Sequence, residues 1–177
     1  SMEDDDKFAG VFPDINRHDY PPTEKHINRI FNRQEELSFF IKNNPKIAKK
    51  YNMDKKDIFV VADDCLHDRT WTKSEATRLL FYVGRHKLVT FLFMMHYPLG
   101  ITPDLRGNIS QVFVFDEMSN RDRIYDNYCK GVIPDKQTFY DIMNAIGRQE
   151  RTCLVVDRDA KGEWWEKLFV YKARPHN

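Results

Sequence analysis

An uncharged apolar run that stops abruptly at two adjacent carboxylates constrains the fold of this chain more than any other feature. Residues 58–62 read Ile-Phe-Val-Val-Ala, and Asp63 and Asp64 follow directly. A run this short and this rich in β-branched and aromatic residues predicts a strand buried on both faces of a sheet. In open α/β sheets, ligands bind at the carboxyl ends of such strands. Two carboxylates there can hold a metal ion and orient or deprotonate a water molecule. The alternative is a strand that ends in an acidic turn, with Asp64 capping a helix.

Length and composition are those of a globular protein. The 177 residues suffice for one domain with a hydrophobic core. The net charge of +1 gives no argument for a nucleic-acid partner, although a local basic surface remains compatible with it. The three cysteines, Cys65, Cys129 and Cys153, are far apart and fit neither a disulfide framework nor a zinc site, so they indicate a reducing compartment. The longest apolar run, residues 88–95, is too short to span a bilayer.

Helical and extended segments alternate along the chain. Thr23 is expected to be the N-cap of a helix running to about Lys42, and Thr72 or Ser74 to cap another that Gly84 ends. Besides the opening run, strands are predicted at residues 88–95, 111–115 and 152–157, short helices at 121–129 and 136–146, and a possible hairpin partner at 164–171. Alternating strands and helices predict a largely parallel sheet, with the last hairpin adding an antiparallel edge.

Three further polar residues are candidates for a site with the paired carboxylates. The second predicted strand ends near His96, which lies close to Asp64 if the two strands are neighbours, where it could contact a terminal phosphate or the attacking water. Arg85 and Arg106 are candidates for stabilising the charge that develops in phosphoryl transfer. Each has a plain alternative: His96 as a polar loop residue, and the two arginines as solvated or paired surface residues.

The order of these motifs is similar to that of a known family. The chain resembles the genome-packaging ATPases of nucleocytoplasmic large DNA viruses, a poxvirus-like branch of the FtsK–HerA superfamily of P-loop motors. The resemblance covers most of residues 3–157, and residues 158–177 form a C-terminal hairpin and tail. It rests on the segments Val60–Leu66, Gly84–His86, Met95–Ile101, Pro103–Ile109 and Val114–Phe115, with weaker support from Phe12–Pro13, His18–Asp19 and Asn32–Glu35.

The resemblance implies an α/β fold with a mostly parallel sheet and helices on both faces, a P-loop NTPase (RecA/FtsK-like) core that is incomplete at its N-terminal edge. By position, Asp63 resembles the carboxylate that helps hold magnesium, and Asp64 the residue that activates water. His96 stands at the polar sensor position, which is usually glutamine in the family, but an imidazole can also donate a hydrogen bond to phosphate. Arg85 and Arg106 lie where related ring motors present arginines toward a neighbouring subunit's nucleotide.

Cofactors, partners and localisation are also implied by the resemblance. The cofactors of the complete protein would be ATP and Mg²⁺. Its partners would be double-stranded viral DNA, further copies of itself in a homo-oligomeric ring, and capsid or membrane packaging components. The expected location is the virion or the viral factory in the host cytoplasm.

The larger departure of the chain from the family is an absence. No Gly-x-x-x-x-Gly-Lys-Ser/Thr occurs among its 177 residues, so it has no phosphate-binding loop of that kind. We expect a single partial ATPase domain that binds nucleotide weakly or not at all and holds no ATP or Mg²⁺ by itself. It is either a fragment of a longer protein or a natural paralogue that has lost catalysis. A core without that first strand and helix should expose apolar sheet surface and self-associate.

Two other functions remain open on the residues alone. A non-catalytic DNA-binding or assembly module would recruit partners through the basic loops at residues 121–123 and 148–151. An unrelated metal-dependent hydrolase would use Asp63 and Asp64 together with His67 or Asp68.

Overall fold

A pair of parallel strands and three α-helices form the first of two structural units in the computed structural model. The structure describes residues 16–53, 57–65 and 70–174, and the first unit ends at Met94. Its elements are α1 (Glu24–Asn43), α2 (Pro45–Lys50), β1 (Ile58–Asp63), α3 (Glu75–Val83) and β2 (Val89–Met94), with 3₁₀ turns at Trp71–Lys73 and Gly84–Lys87. Strands β1 and β2 pair in parallel, so their carboxyl ends lie at the same edge of the sheet.

Helix α1 begins where its capping residue predicts. The Thr23 side chain accepts a hydrogen bond from the backbone N–H of His26, and the imidazole of His26 pairs with the backbone N–H of Thr23 in a capping box. The predicted N-cap is therefore confirmed, and the helix ends one residue beyond the expected Lys42. Ser74, one of the two predicted caps, accepts from Thr77 at the start of α3.

Only one face of the β1–β2 sheet is buried within the described residues. Helices α1 and α3 cover that face, and the core there consists of Ile27, Phe31, Val60, Ala76, Leu80 and Val89. On the other face Phe59 is 63% exposed and Leu92 is 41% exposed. The prediction of a strand buried on both faces is therefore wrong here. An apolar run indicates that both faces of a strand can be buried. It does not show that the helices or strands which would bury them are present.

A buried glutamine on α1 fixes the entrance to β2. Gln34 is 2% exposed, and its Nε2 atom donates to the carbonyl oxygens of Lys87 at 3.2 Å and Leu88 at 3.1 Å. Leu88 has a left-handed backbone with φ of 56°, which a leucine seldom adopts. The two hydrogen bonds hold this strained residue where the chain enters the sheet.

Gln34→Leu should destabilise the protein by about 1–3 kcal/mol, because two carbonyl groups would lose a buried donor. Chemical denaturation followed by tryptophan fluorescence measures the change in the free energy of unfolding. Asn32→Leu, at an exposed position on the same helix, is the matched control and should change it by less than about 0.5 kcal/mol. Equal effects of the two substitutions would show that Gln34 does not hold the turn.

The second unit begins at Met95 and contains an antiparallel sheet. Its elements are α4 (Pro103–Arg106), β3 (Gln111–Val114), α5 (Arg121–Ile124), α6 (Lys136–Ile146), β4 (Thr152–Asp157) and β5 (Leu168–Lys172), with 3₁₀ turns at Met118–Asn120 and Trp164–Lys167 and a π-helical turn at Tyr125–Cys129. Strand β4 lies between β3 and β5 and is antiparallel to both. Among the described strands only the β1–β2 pair is parallel, whereas the sequence predicts a mostly parallel sheet.

The core of the second unit packs the helices against one face of its sheet. Phe139, Met143 and Ile133 are fully buried there. The complete buried cluster is Val114, Tyr125, Tyr128, Cys129, Ile133, Phe139, Met143, Ile146, Leu154 and Val156. No helix in the described parts of either unit is long and apolar enough to cross a membrane.

Candidate functional site

Asp63 is the last residue of β1 and lies opposite Met94 of β2. Because side chains alternate along a strand, Asp63 shares the open face of the sheet with Phe59 and Val61. Residues Val60 and Ala62 point into the buried face. The first carboxylate of the pair therefore lies on the uncovered face, at the edge where the parallel strands end.

Asp64 turns the chain sharply at that edge. Its backbone N–H donates to the carbonyl of Met94 at 3.2 Å, and its φ is 46°, in the left-handed region. Aspartate tolerates this conformation better than most residues, but it still costs conformational free energy. The side chain is exposed. The strand end thus holds two successive carboxylates in different orientations, one along the sheet face and one on the turn. The alternative in which Asp64 caps a helix concerns residues 66–69, which lie outside the described residues.

Cys65 follows the carboxylates but is not a nucleophile. Its thiol is buried and donates to the carbonyl oxygen of Asp63 at 3.4 Å. Burial, together with the negative charges of Asp63 and Asp64, raises the pKa of the Cys65 thiol. The thiol therefore remains protonated at neutral pH and packs the turn.

An aromatic cluster supports the carboxyl ends of both strands from the buried face. Ala62, Cys65 and Trp71 form a small core with Phe91 and Phe93. The rings of Trp71 and Phe93 lie 5.4 Å apart, and those of Phe91 and Phe93 stack at 6.0 Å. This packing makes the end of β1 a rigid base for the acidic turn.

Arg85 lies at the opposite end of the sheet from the two aspartates. It is exposed in the 3₁₀ turn Gly84–Lys87, which leads into the amino end of β2. Since β1 and β2 are parallel and Ile58 faces Val89, this turn stands at the amino end of β1 as well. Five residue steps of about 3.3 Å separate the two ends of the strand, about 16 Å in all. The structure therefore does not bring Arg85 and Asp64 together within one chain.

His96 and Arg106 belong to the second unit. His96 is exposed, two residues after the end of β2. Arg106 ends the short helix α4, and its guanidinium carbon lies 6.0 Å from the ring centroid of Tyr128. Its Nη1 atom is buried and has no hydrogen-bond partner in the described part of the chain. Arg106 is thus packed within its unit rather than extended into solvent.

A tyrosine and a second arginine lie next to Arg106, and no sequence motif marks either of them. The Tyr128 hydroxyl donates to the carbonyl of Pro98, and burial raises the pKa of Tyr128 to about 12 despite the opposing charges of Arg106 and Arg158. The Nη1 atom of Arg158 donates to the carbonyls of Arg106 at 2.6 Å and Ile109 at 3.2 Å. Arg158 therefore holds the loop that positions Arg106.

The two basic loops proposed for partner recruitment differ in their availability. Arg121 is only 6% exposed: its Nε and Nη2 atoms donate to Asp116, and its Nη1 atom donates to Asn144 at 2.7 Å. Arg121 therefore cannot serve an exposed binding surface, and the prediction is wrong for this residue, whereas Arg123 of the same loop is exposed. Arg148 and Arg151 are exposed.

A magnesium ion fits the acidic edge only in a limited way. No group of three metal-ligating side chains occurs among residues 16–53, 57–65 and 70–174. Mg²⁺ in phosphoryl-transfer sites needs only one or two carboxylates, with waters and substrate phosphates completing its shell. Asp63 supplies such a carboxylate, so the residues present fit that role. His67 and Asp68, invoked for an unrelated metal hydrolase, lie outside the described residues.

Comparison with known proteins links the chain to large DNA viruses. It is 32% identical over 171 residues to uncharacterized protein L437 of Acanthamoeba polyphaga mimivirus, covering 94% of this chain and 58% of the relative. It is 30% identical over 169 residues to uncharacterized protein 015R of Frog virus 3, and the match covers 94% of this chain and 48% of that relative. The corresponding values for uncharacterized protein 075L of Invertebrate iridescent virus 6 are 30% over 169 residues, covering 93% and 60%.

These relatives are proteins of large DNA viruses. The chain spans about half to three-fifths of the length of these curated relatives, with 48% of 015R the smallest share and 60% of 075L the largest. No protein-family model matches the chain. No solved structure matches it either.

Proposed function

We propose that this chain is the distal part of a viral DNA-packaging motor domain, which in the longer protein couples ATP hydrolysis to DNA translocation. The observation that carries the proposal is the acidic edge: a parallel strand pair ends in Asp63 and in the left-handed Asp64. Ligand sites of α/β nucleotide-binding proteins lie at this edge of parallel strands. The match to proteins of large DNA viruses and the ordered motifs support the same assignment.

The residues of this chain would divide the chemistry between them. Magnesium, when bound, neutralises charge on the phosphates and aligns them for in-line attack. Asp63 would hold that ion through its carboxylate on the open sheet face. Asp64, on the turn, would orient and deprotonate the attacking water. His96 would donate a hydrogen bond to the terminal phosphate or that water as a polar sensor.

The two arginines receive different roles in the proposal. Arg85 stands about 16 Å from the acidic edge of its own sheet, so it would act on a neighbouring subunit's nucleotide in a homo-oligomeric ring. Arg106, whose loop Arg158 holds in place, would present a preorganised positive charge. Such arginines stabilise transition-state charge without reorganising at the moment of reaction.

The open face of the β1–β2 sheet supports a core that other segments complete. Parallel sheets are normally covered on both faces, yet Phe59 and Leu92 are exposed here. In the longer protein, the strand and helix of a phosphate-binding loop would cover this face. The fold would then be the P-loop NTPase type, a mostly parallel α/β core, with the antiparallel strands β3, β4 and β5 as a distinct part.

This chain alone should self-associate through the open face. Replacing Phe59 by lysine should reduce the association, because a charge there opposes burial of the face. Static light scattering over a range of concentrations measures it, with Gln149→Lys, which adds the same charge at an exposed position of the second unit, as the control. A monodisperse monomer of the unmodified chain at high concentration would contradict the proposal.

A non-catalytic DNA-binding or assembly module is the second candidate, and the exposed Arg148 and Arg151 are the residues through which it would recruit a partner. For the motor, we propose the virion or the viral factory of the host cytoplasm as the location. Capsid or membrane packaging components and double-stranded viral DNA would be its partners.

The experiment that separates the candidates is DNA-stimulated ATP hydrolysis by the longer protein that joins this chain to a phosphate-binding loop. The motor requires such hydrolysis, and the assembly module predicts none.

A further inference from the structure

Exposed cationic side chains are concentrated on α1 and α2 of the first unit. Residues 24–53 contain seven lysines and arginines and three glutamates, a net charge of +4 in a chain whose total is +1. Residues 37–53 contain four lysines and no acidic residue. The exposed cations of both helices are Lys25, Arg29, Arg33, Lys42, Lys46, Lys49 and Lys50, called here the α1–α2 cationic surface.

On α1 these cations form a row along the helix. Lys25, Arg29 and Arg33 follow one another at four-residue spacing, so they lie on neighbouring turns, about 6 Å apart along the axis. Asn28 and Asn32 flank them, and all five side chains are exposed. The opposite side of the helix packs into the core of the unit. The row therefore offers regularly spaced positive charges between amide hydrogen-bonding groups.

The cations of this surface are not neutralised within the described structure. Glu35 is paired with Lys87. Glu36 lines the same surface depression as Lys25, Arg29 and Arg33, but it forms no ion pair with them in the described part of the chain. Lys50 lies over the ring of Tyr51 at 5.4 Å, and none of the seven cations forms an ion pair in the described part of the chain. The seven cations outnumber the three glutamates of residues 24–53, and the net positive charge that remains favours a polyanionic partner.

Two anionic partners suit such a surface, a nucleic-acid backbone and an acidic lipid surface. Lipid binding by a helix requires an apolar side to enter the headgroup region. The apolar side of α1 already lies in the core, where Ile27 is fully buried, and amides flank its cationic row. Phe39 and Ile47 are exposed beside the lysines, 72% and 45%, so the lipid alternative is an outcome that the test must separate.

The structure points to the phosphodiester backbone of DNA as the ligand of the α1–α2 cationic surface, a contact site separate from the acidic edge. Arginine and lysine bind phosphate oxygens, and asparagine amides donate to them. The choice of double-stranded DNA among polyanions rests on the proposed function. The contacts are to the backbone, so binding depends on salt and is indifferent to base sequence.

The test is the affinity of this chain for a short fluorescein-labelled DNA duplex, measured by fluorescence anisotropy without nucleotide. Two triple variants remove three cations each: Lys25→Gln with Arg29→Gln and Arg33→Gln, and Lys46→Gln with Lys49→Gln and Lys50→Gln. Each should weaken binding at least about tenfold. Each should also reduce the slope of log affinity against log salt by about 2–3 between about 50 and about 200 mM salt.

The matched control removes three exposed lysines of the second unit, Lys130, Lys161 and Lys172, each changed to glutamine. It should retain the affinity and the salt slope of the unmodified chain. Equal losses in the control and in the triple variants would overturn the proposal, as would the absence of DNA binding by the unmodified chain. The proposal would also be overturned if the affinity fell only when Arg148 and Arg151, in the other basic loop considered for partner binding, were changed.

Vesicles of phosphatidylserine distinguish the lipid alternative. Binding to these vesicles with no binding to DNA would overturn the proposal. This test does not depend on catalysis. If the longer protein hydrolyses ATP and both triple variants bind DNA as the unmodified chain does, the motor function stands and only the proposed DNA-binding surface is excluded.

Discussion

Asp64→Asn is expected to reduce the rate of ATP hydrolysis by about 10²–10⁴-fold in the longer protein that joins this chain to a phosphate-binding loop. Asparagine keeps the size of the side chain and tolerates the left-handed backbone of residue 64, whose φ is 46°. It cannot accept a proton from water as a carboxylate does. The loss should therefore appear in kcat, with nucleotide binding retained. Steady-state kinetics with DNA present, together with equilibrium binding of ATP, separates the two effects.

The control for this substitution lies at the other end of the same strand. Asp57→Asn makes the same chemical change one residue before β1, at an exposed position. It should leave the rate within about twofold, since six residue steps of about 3.3 Å place the affected carboxylate about 20 Å from the acidic edge. If Asp64→Asn hydrolyses ATP as fast as Asp57→Asn, Asp64 does not activate the water.

Arg121→Ala is expected to destabilise the second unit by about 3 kcal/mol. Its guanidinium donates to Asp116 at 3.1 and 2.5 Å and to Asn144 at 2.7 Å. The Arg121 side chain is 8% exposed and that of Asp116 is 28% exposed. Removing one partner of a buried pair leaves the other charge poorly solvated, and this costs more than the pair itself contributes. The partial exposure of Asp116 places the value at the lower end of the usual range.

Chemical denaturation with fluorescence detection measures the effect, because Trp164 and Trp165 lie in the second unit. Arg123→Ala is the matched control, two residues along at an exposed position, and should cost less than about 0.5 kcal/mol. Arg121→Lys keeps the charge but loses the planar fork, so its free energy of unfolding should fall between the two. If Arg121→Ala is no less stable than Arg123→Ala, the network does not stabilise the unit.

Local signals in the sequence predicted most element boundaries. Thr23 and Ser74 cap helices through side-chain oxygens, a property of those residues alone. The apolar runs that end at Asp63 and Asp157 were predicted as strands from their own residue composition, and both are strands.

Pairing between strands could not be derived in this way. Residues 111–114 read equally well as a parallel or an antiparallel strand, and only the register of Val112 opposite Val156 shows the antiparallel arrangement. Which strands pair depends on contacts between residues that are distant in sequence, and the hydrophobic periodicity of one segment contains no information about them. The open face of β1 was missed for a related reason, since Phe59 is apolar whether or not anything covers it.

The candidate site was partly accessible from the sequence. The position of Asp63 and Asp64 at a strand end follows from the apolar run, whereas the pairing of β1 with β2 was only a condition of the predicted site, and the structure shows it. The position of Arg85 could not be predicted. The turn that carries it lies between a helix and a strand, and the edge of the sheet at which it stands is known only once the strands are paired. Arg158 and Gln34 act through backbone carbonyls far along the chain, and no motif marks such contacts.

The most direct measurement is a structure of the longer protein, containing a phosphate-binding loop, with Mg²⁺ and a non-hydrolysable ATP analogue. The account predicts the terminal phosphate at the edge where β1 ends, with Asp63 in the coordination sphere of the magnesium and Asp64 within hydrogen-bond distance of a water in line with that phosphate. A nucleotide bound at the Arg85 end of the sheet, or bound away from both aspartates, would contradict it.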